Sequence, residues 1–174
     1  MKRLFLLRHA KAGYGPSDQT RPLNHRGKRD AFWLGQYLSE RNLLPDHVLC
    51  SSAKRTMETY DRLQEGADKL PPVYFRSDLY LATADHILRQ LRDLDPDITA
   101  PMILCHNPGI SQLFQQLAYR PPQDHRTLKY PTCCLGIIDF DIESWSELKN
   151  DTGKVFKVVI PSDRISTLEN TGTS

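Results

Sequence analysis

Three times in this chain a short apolar run breaks off at residues that can hold an anion, and a helical pattern follows. The first run is Leu4-Phe5-Leu6-Leu7, which ends in Arg8-His9 and then Lys11. The second is His47-Val48-Leu49-Cys50, followed by Ser51, Ser52 and a helix with Arg55 in its first turn. The third is Met102-Ile103-Leu104-Cys105, which runs into His106-Asn107-Pro108-Gly109. Short unbroken apolar runs read as strands buried on both faces. Alternated with helices, they predict a sheet between two helical layers, and such sheets bind ligands at the carboxyl ends of their strands. A single junction of this kind could equally be a solvated strand end.

The intervening pattern agrees. Gly13, Gly15, Pro16 and Ser17 mark a loop after the first strand. Ala31, Leu34, Gly35 and Leu38 follow helical spacing and predict a helix over 28–41, stopped by Asn42 and Pro45. Thr56, Tyr60 and Leu63 mark the inner face of the next helix, with Ser51 and Ser52 as natural N-caps. Val73-Tyr74-Phe75 is a further strand. Ala84, Ile87, Leu88 and Leu91 mark one later helix, and Ile110, Leu113, Phe114 and Leu117 another. Asn107 suits the cap of that last helix and Pro108 its first position. Strand-like stretches over 133–141 and 155–160 flank a polar segment and suggest a hairpin or two edge strands. The expected architecture is a single three-layer α/β/α domain over 1–161, with 162–174 as a tail poor in apolar residues.

Composition narrows the function classes. At 174 residues, 39% hydrophobic and 25% charged, the chain can bury a substantial core. Lys2 and Arg3 precede only four apolar residues, too few for the core of a signal peptide, so a cytoplasmic, membrane-free protein is expected. Net charge is only +2, which argues against nucleic-acid binding. Its distribution is uneven: residues 1–29 carry eight Lys/Arg and one acid, Asp18, for +7, while the remaining 15 Lys/Arg and 20 acids give −5. Such a basic cluster fits a focused site for a small anion, and chance clustering of surface charge is the alternative. Cys50, Cys105, Cys133 and Cys134 have no C-x-x-C spacing and read as small buried hydrophobes. Cys133 and Cys134, adjacent in a strand, would point to opposite faces. The six histidines lack metal-ligand spacing, so no metal or other cofactor is expected.

If the strands are parallel, Arg8, His9, Arg55 and His106 converge on one edge. Two guanidinium groups and two imidazoles at one point would repel without an anion. A phosphoryl group resolves this: arginine forks match its oxygens, a neutral histidine can attack phosphorus, and a second histidine can donate to an oxygen as charge builds.

Leu-Leu-Arg-His-Ala-Lys, Arg-Pro-Leu-x-x-x-Gly, Ser-Ser-Ala-x-Arg-x-x-x-Thr and His-Asn-Pro-Gly, in that order over roughly residues 3–140, resemble the histidine phosphatase superfamily. The branch they resemble is that of the small SixA-type phosphohistidine phosphatases. The resemblance implies a phosphoglycerate mutase-like fold with a mixed, mostly parallel six-stranded sheet in which the strands bearing the two histidines are neighbours. It implies that His9 is the nucleophile, that Arg8, Arg55 and His106 form the phosphate pocket, and that Arg21 also approaches the phosphate. On sequence alone, a surface arginine before Pro22 fits Arg21 as well.

The chain departs from the family pattern in places. Ala10 follows the first histidine where many members have glycine, and Cys105 precedes the second. Larger members carry an acid in a Leu-x-Glu motif, where this chain reads Ser77-Asp78-Leu79-Tyr80-Leu81-Ala82; another branch has aspartate where this chain has Asn107. Asp18, Asp78 and Asp85 are the remaining candidates for a general acid, and each also reads as a solvated loop or cap residue. A weak acid suits a P–N bond, because protonated phosphohistidine departs as a neutral imidazole whose conjugate acid has a pKa of ~6.5. The expected enzyme is a metal-independent phosphatase acting through phospho-His9, with a phosphorylated protein as its partner, working as a monomer. The alternatives are a phosphatase of small phosphate esters and a non-catalytic phosphoprotein or anion binder. A phosphomutase, which must shield its phosphoenzyme from water, fits less well without lid material.

Overall fold

A computed structural model describes residues 1–164. In chain order the strands are β1 (Lys2–Arg8), β2 (His47–Ser51), β3 (Val73–Arg76), β4 (Pro101–Cys105), β5 (Leu135–Phe140) and β6 (Lys154–Val159). The helices are α1 (His25–Glu40), α2 (Lys54–Gly66), α3 (Ala84–Arg92), α4 (Gly109–Leu117) and the short α5 (His125–Lys129). The strands form one sheet in the order β3-β2-β4-β1-β5-β6. β1, β2, β3 and β4 are parallel to their neighbours among one another, and β5 runs antiparallel to β1 and to β6. This is the phosphoglycerate mutase-like mixed sheet, with one reversed strand and with β1 and β4, which carry the two histidines, side by side.

The central strands sort their apolar residues between two cores. Leu4 and Leu6 of β1 and Ile103 of β4 face a core completed by Ile87 and Leu91 of α3 and Leu113 and Leu117 of α4. Phe5 and Leu7 of β1 and Met102 and Leu104 of β4 face the opposite core with Leu34 and Leu38 of α1 and Leu63 of α2. A strand covered on both faces needs no polar alternation, which is why these runs are unbroken. Full burial of each leucine contributes about 1.5–3 kcal/mol.

Helix α1 begins at His25, earlier than periodicity alone indicates, because Asn24 caps it and accepts a hydrogen bond from Gly27 N at 2.9 Å. Gly27 lets that first turn press on the loop after β1: a Cβ there would sit 2.2 Å from Lys11 O. Ser51 and Ser52 do not cap α2; Ala53 takes the cap position without a side-chain bond, because Ser51 completes β2 and turns its hydroxyl elsewhere. Asn107 does not cap α4 either. Pro108 occupies that position, the Asn107–Pro108 peptide is cis, and the Asn107 amide donates instead to the carbonyls of Lys129 and Tyr130.

Cys133 and Cys134 precede β5 rather than lie within it. Cys133 has left-handed backbone (φ 62°) and gives its N–H to His9 O, while Cys134 O accepts from Arg8 N. These two bonds extend the contact between the segments past Leu7 and Leu135, where the register of β1 with β5 ends. All four cysteines are buried and free. Helix α5, capped by Asp124, has no counterpart among the sequence-based expectations, because five residues carry too little periodicity to register. The stretches around 135–140 and 154–159 are the antiparallel pair expected there, with β6 at the edge. The tail expected from 162 lies, beyond Arg164, outside the described residues; Arg164 itself donates to Asp30 of α1 at 2.8 Å. Among the described residues, no helix is long and apolar enough to cross a membrane.

Candidate active site

The pairing of β1 with β4 aligns Arg8 with Cys105, and His9 N donates to Cys105 O at 3.1 Å. The residues that follow, His9 and His106, therefore leave the sheet together, and their ring centroids lie 5.2 Å apart. Arg55 arrives from the first turn of α2, and its Nε lies 3.4 Å from His9 Nε2. Arg8, His9, Arg55 and His106 line a cleft of about 230 Å³ together with Lys11, Arg21 and Asn107. Every site residue expected from the sequence thus reaches one place, Arg21 included. A larger groove of about 960 Å³ lies elsewhere, between α1 and β6, and contains none of these residues.

The atoms at the cleft are specific. His9 Nδ1 lies 2.8 Å from Ala10 O, a carbonyl that can only accept, so Nδ1 carries the proton and Nε2 carries a lone pair. Burial, with His106, Arg55 and Arg8 nearby, pushes the pKa of His9 down to about 3, so the ring is neutral at pH 7. Burial also lowers His106 to about 4, helped by Arg55. Among the residues that line the cleft, three buried polar atoms lack a partner: Arg8 Nε, His106 Nδ1 and the acceptor Asn107 Oδ1. Buried polar groups of this kind are normally satisfied, and an oxyanion is the kind of partner that Arg8 Nε and a protonated His106 Nδ1 would donate to.

Behind the cleft, Tyr130 anchors Arg8. Its carbonyl accepts from Arg8 Nη1 at 3.0 Å and from Asn107 Nδ2 at 3.1 Å. Its fully buried hydroxyl donates to Leu6 O and accepts from Gly136 N, tying the backbones of β1 and β5 to the site. Ser51, at the end of β2, places its hydroxyl 2.7 Å from His106 Nε2. Sequence reasoning missed both, since it read Ser51 as a cap and had no element to assign to Tyr130.

Asp18 is the one acid candidate that reaches these groups. Its main-chain oxygen and its carboxylate accept from the two terminal nitrogens of Arg55, at 2.6 and 3.1 Å. Arg21 approaches it at 3.4 Å while donating through Nε to Gly13 O. The hydroxyl of Tyr80 also donates to it. The Tyr80 bond, reinforced by Arg55, lowers the pKa of Asp18 to about 2, so it is a carboxylate with no proton to give. Asp78 is occupied away from the cleft by Arg76 and His86, and Asp85 is exposed in the first turn of α3. The cleft lining, among the described residues, contains no carboxylate. Cys105 gives its thiol to Leu79 O, and burial raises its pKa to about 11, which makes it a packing residue.

Comparison with known proteins bears on the family and the fold. The model of the histidine phosphatase superfamily (branch 1) matches residues 4–80. An uncharacterised chloroplastic protein of Arabidopsis thaliana is 30% identical over 158 residues, which span 84% of this chain and 70% of that protein. A Nakamurella multipartitia structure, described as a candidate phosphohistidine phosphatase SixA, is 26% identical with a TM-score of 0.79, covering 92% of this chain and 96% of that one. The structure of the protein histidine phosphatase SixA complexed with tungstate shares the fold at a TM-score of 0.77 and 16% identity, covering 93% of this chain and 99% of that one.

Proposed function

Because the chain belongs to the histidine phosphatase superfamily, in its SixA-type branch, and is a phosphatase, we propose that it works through a phospho-His9 intermediate and removes phosphate from phosphohistidine in a protein. The observation that carries the reading is the His9 ring itself. It is neutral, its Nδ1 proton is held by Ala10 O, and its Nε2 lone pair faces Arg55 Nε at 3.4 Å.

In the proposed reaction His9 Nε2 attacks phosphorus while the leaving group departs from the opposite side. Arg8, Arg55 and the His106 ring hold the equatorial oxygens, with Arg21 at the rim, and gain strength as charge gathers on them. Water then attacks the phosphorus of phospho-His9, releasing phosphate and restoring the neutral ring. The substrate class follows from the acid. Asp18 is held ionised, so the leaving group has to depart without a proton from this carboxylate. A phosphorylated imidazole protonated on its other nitrogen does so, leaving as neutral histidine, whereas an alkoxide does not. The enzyme so envisaged is a cytoplasmic monomer acting on a phosphorylated protein.

The test compares kcat/KM on a histidine-phosphorylated protein with kcat/KM on small alkyl phosphate esters. Brief exposure to labelled phosphodonor should also leave an acid-labile, alkali-stable label that is absent from His9→Ala. Preference for the esters would sink the substrate assignment. Turnover persisting in a folded His9→Ala variant would sink the mechanism, and turnover absent from the unaltered protein would favour an anion binder.

A further inference from the structure

The two site histidines are held by different partners. His9 gives its Nδ1 proton to a backbone carbonyl, which fixes its tautomer outright. His106 meets a hydroxyl instead: Ser51 Oγ lies 2.7 Å from Nε2, and both residues are buried, Ser51 completely. A hydroxyl can donate or accept, so the direction of this bond decides which nitrogen of His106 carries the proton.

The surroundings of Ser51 favour donation by its hydroxyl. Ala53 N–H approaches the same oxygen at 3.4 Å and takes up one of its lone-pair directions. The Ser51 carbonyl is engaged by the Thr56 hydroxyl at 2.7 Å, which pins the turn between β2 and α2. The one proton on Ser51 Oγ is then free for His106 Nε2. The reverse arrangement would leave a lone pair on His106 Nδ1, a buried atom with no partner among the described residues, next to the phosphoryl group of the proposed reaction.

We propose that Ser51 is a positioning residue of the phosphatase site: its hydroxyl donates to His106 Nε2, fixes the ring as the Nδ1–H tautomer and turns that proton toward the phosphoryl oxygens. The inference rests on the phospho-His9 reading for the identity of the anion. Both histidines then carry the proton on Nδ1 but present opposite ends to the cleft. His9 shows a lone pair, which makes it the nucleophile, and His106 shows a proton, which makes it a donor. Histidine in water favours the Nε2–H form, so without Ser51 much of the population would turn a lone pair toward the phosphoryl group.

The test is long-range proton–nitrogen NMR on the full chain with ¹⁵N-labelled histidine, at pH 7 in phosphate-free buffer, with His106 assigned through His106→Gln. The unaltered protein should show His106 with a pyrrole-like Nδ1 and a pyridine-like Nε2. Ser51→Ala should shift His106 toward the Nε2–H signature, leave the His9 signals in place and lower kcat/KM at least tenfold. Ser51→Thr, which keeps the hydroxyl, should restore the tautomer and most of the rate. An Nε2–H signature in the unaltered protein overturns the proposal whether or not any variant folds. So does a Ser51→Ala variant that loses rate with its tautomer unchanged, or keeps its rate with the tautomer shifted. Failure to label His9 would refute the phospho-His9 reading and leave the tautomer result standing by itself.

Discussion

Acidification should destabilise this protein through the two histidines of the candidate active site. His9 and His106 are buried neutral, with pKa values lowered to about 3 and about 4, whereas in the unfolded chain each titrates near ~6.5. Between roughly pH 3 and 6.5 the unfolded state therefore binds more protons than the folded state, and stability falls as pH falls. From pH 7.5 to pH 5, a site with a folded pKa of about 3 loses about 2 kcal/mol of stability, and one at about 4 loses nearly the same. Together this is about 4 kcal/mol, a large share of the 5–15 kcal/mol typical of a domain. Urea unfolding at both pH values, in buffers free of phosphate, measures the loss. His9→Gln removes one titrating site and should lose about 2 kcal/mol less than the unaltered protein over the same interval. The other histidines contribute equally to both proteins and cancel. Equal losses in the two would refute the claim that His9 is held neutral by its burial among cations.

Other perturbations test the scaffold behind the cleft. Tyr130→Phe strips the buried partner from Leu6 O and Gly136 N and should cost about 1–3 kcal/mol in denaturant unfolding, with kcat lowered because the Tyr130 carbonyl holds Arg8. Gly27→Ala would force a methyl to within 2.2 Å of Lys11 O and should lower stability by about 1–3 kcal/mol while disturbing the loop that carries Arg21. Asp18→Asn loosens Arg55 but removes a negative charge beside the anion site; steady-state kinetics should show kcat falling on the order of tenfold with no rise in KM.

Much of the molecule could be read from the chain. Local burial writes itself into sequence as unbroken apolar runs and helical spacing, so Leu4–Leu7, Val48–Cys50 and Met102–Cys105 declared strands covered on both faces. The cationic residues at their ends marked a candidate site, and Arg8, His9, Arg21, Arg55 and His106 all line one cleft. What only packing decided are pairings between distant atoms. Ser51 meets His106 across 55 positions, Tyr80 meets Asp18 across 62, and the Tyr130 hydroxyl meets Leu6 O across 124. Periodicity reports which face of an element is buried; it carries no information on which hydroxyl rotates toward which ring nitrogen, because that direction is set by neighbours brought from elsewhere in the chain. Hence the composition of the cleft was legible in one dimension, while the protonation pattern that the proposed mechanism requires, a lone pair on His9 and a proton on His106, depends on contacts that arise only in three.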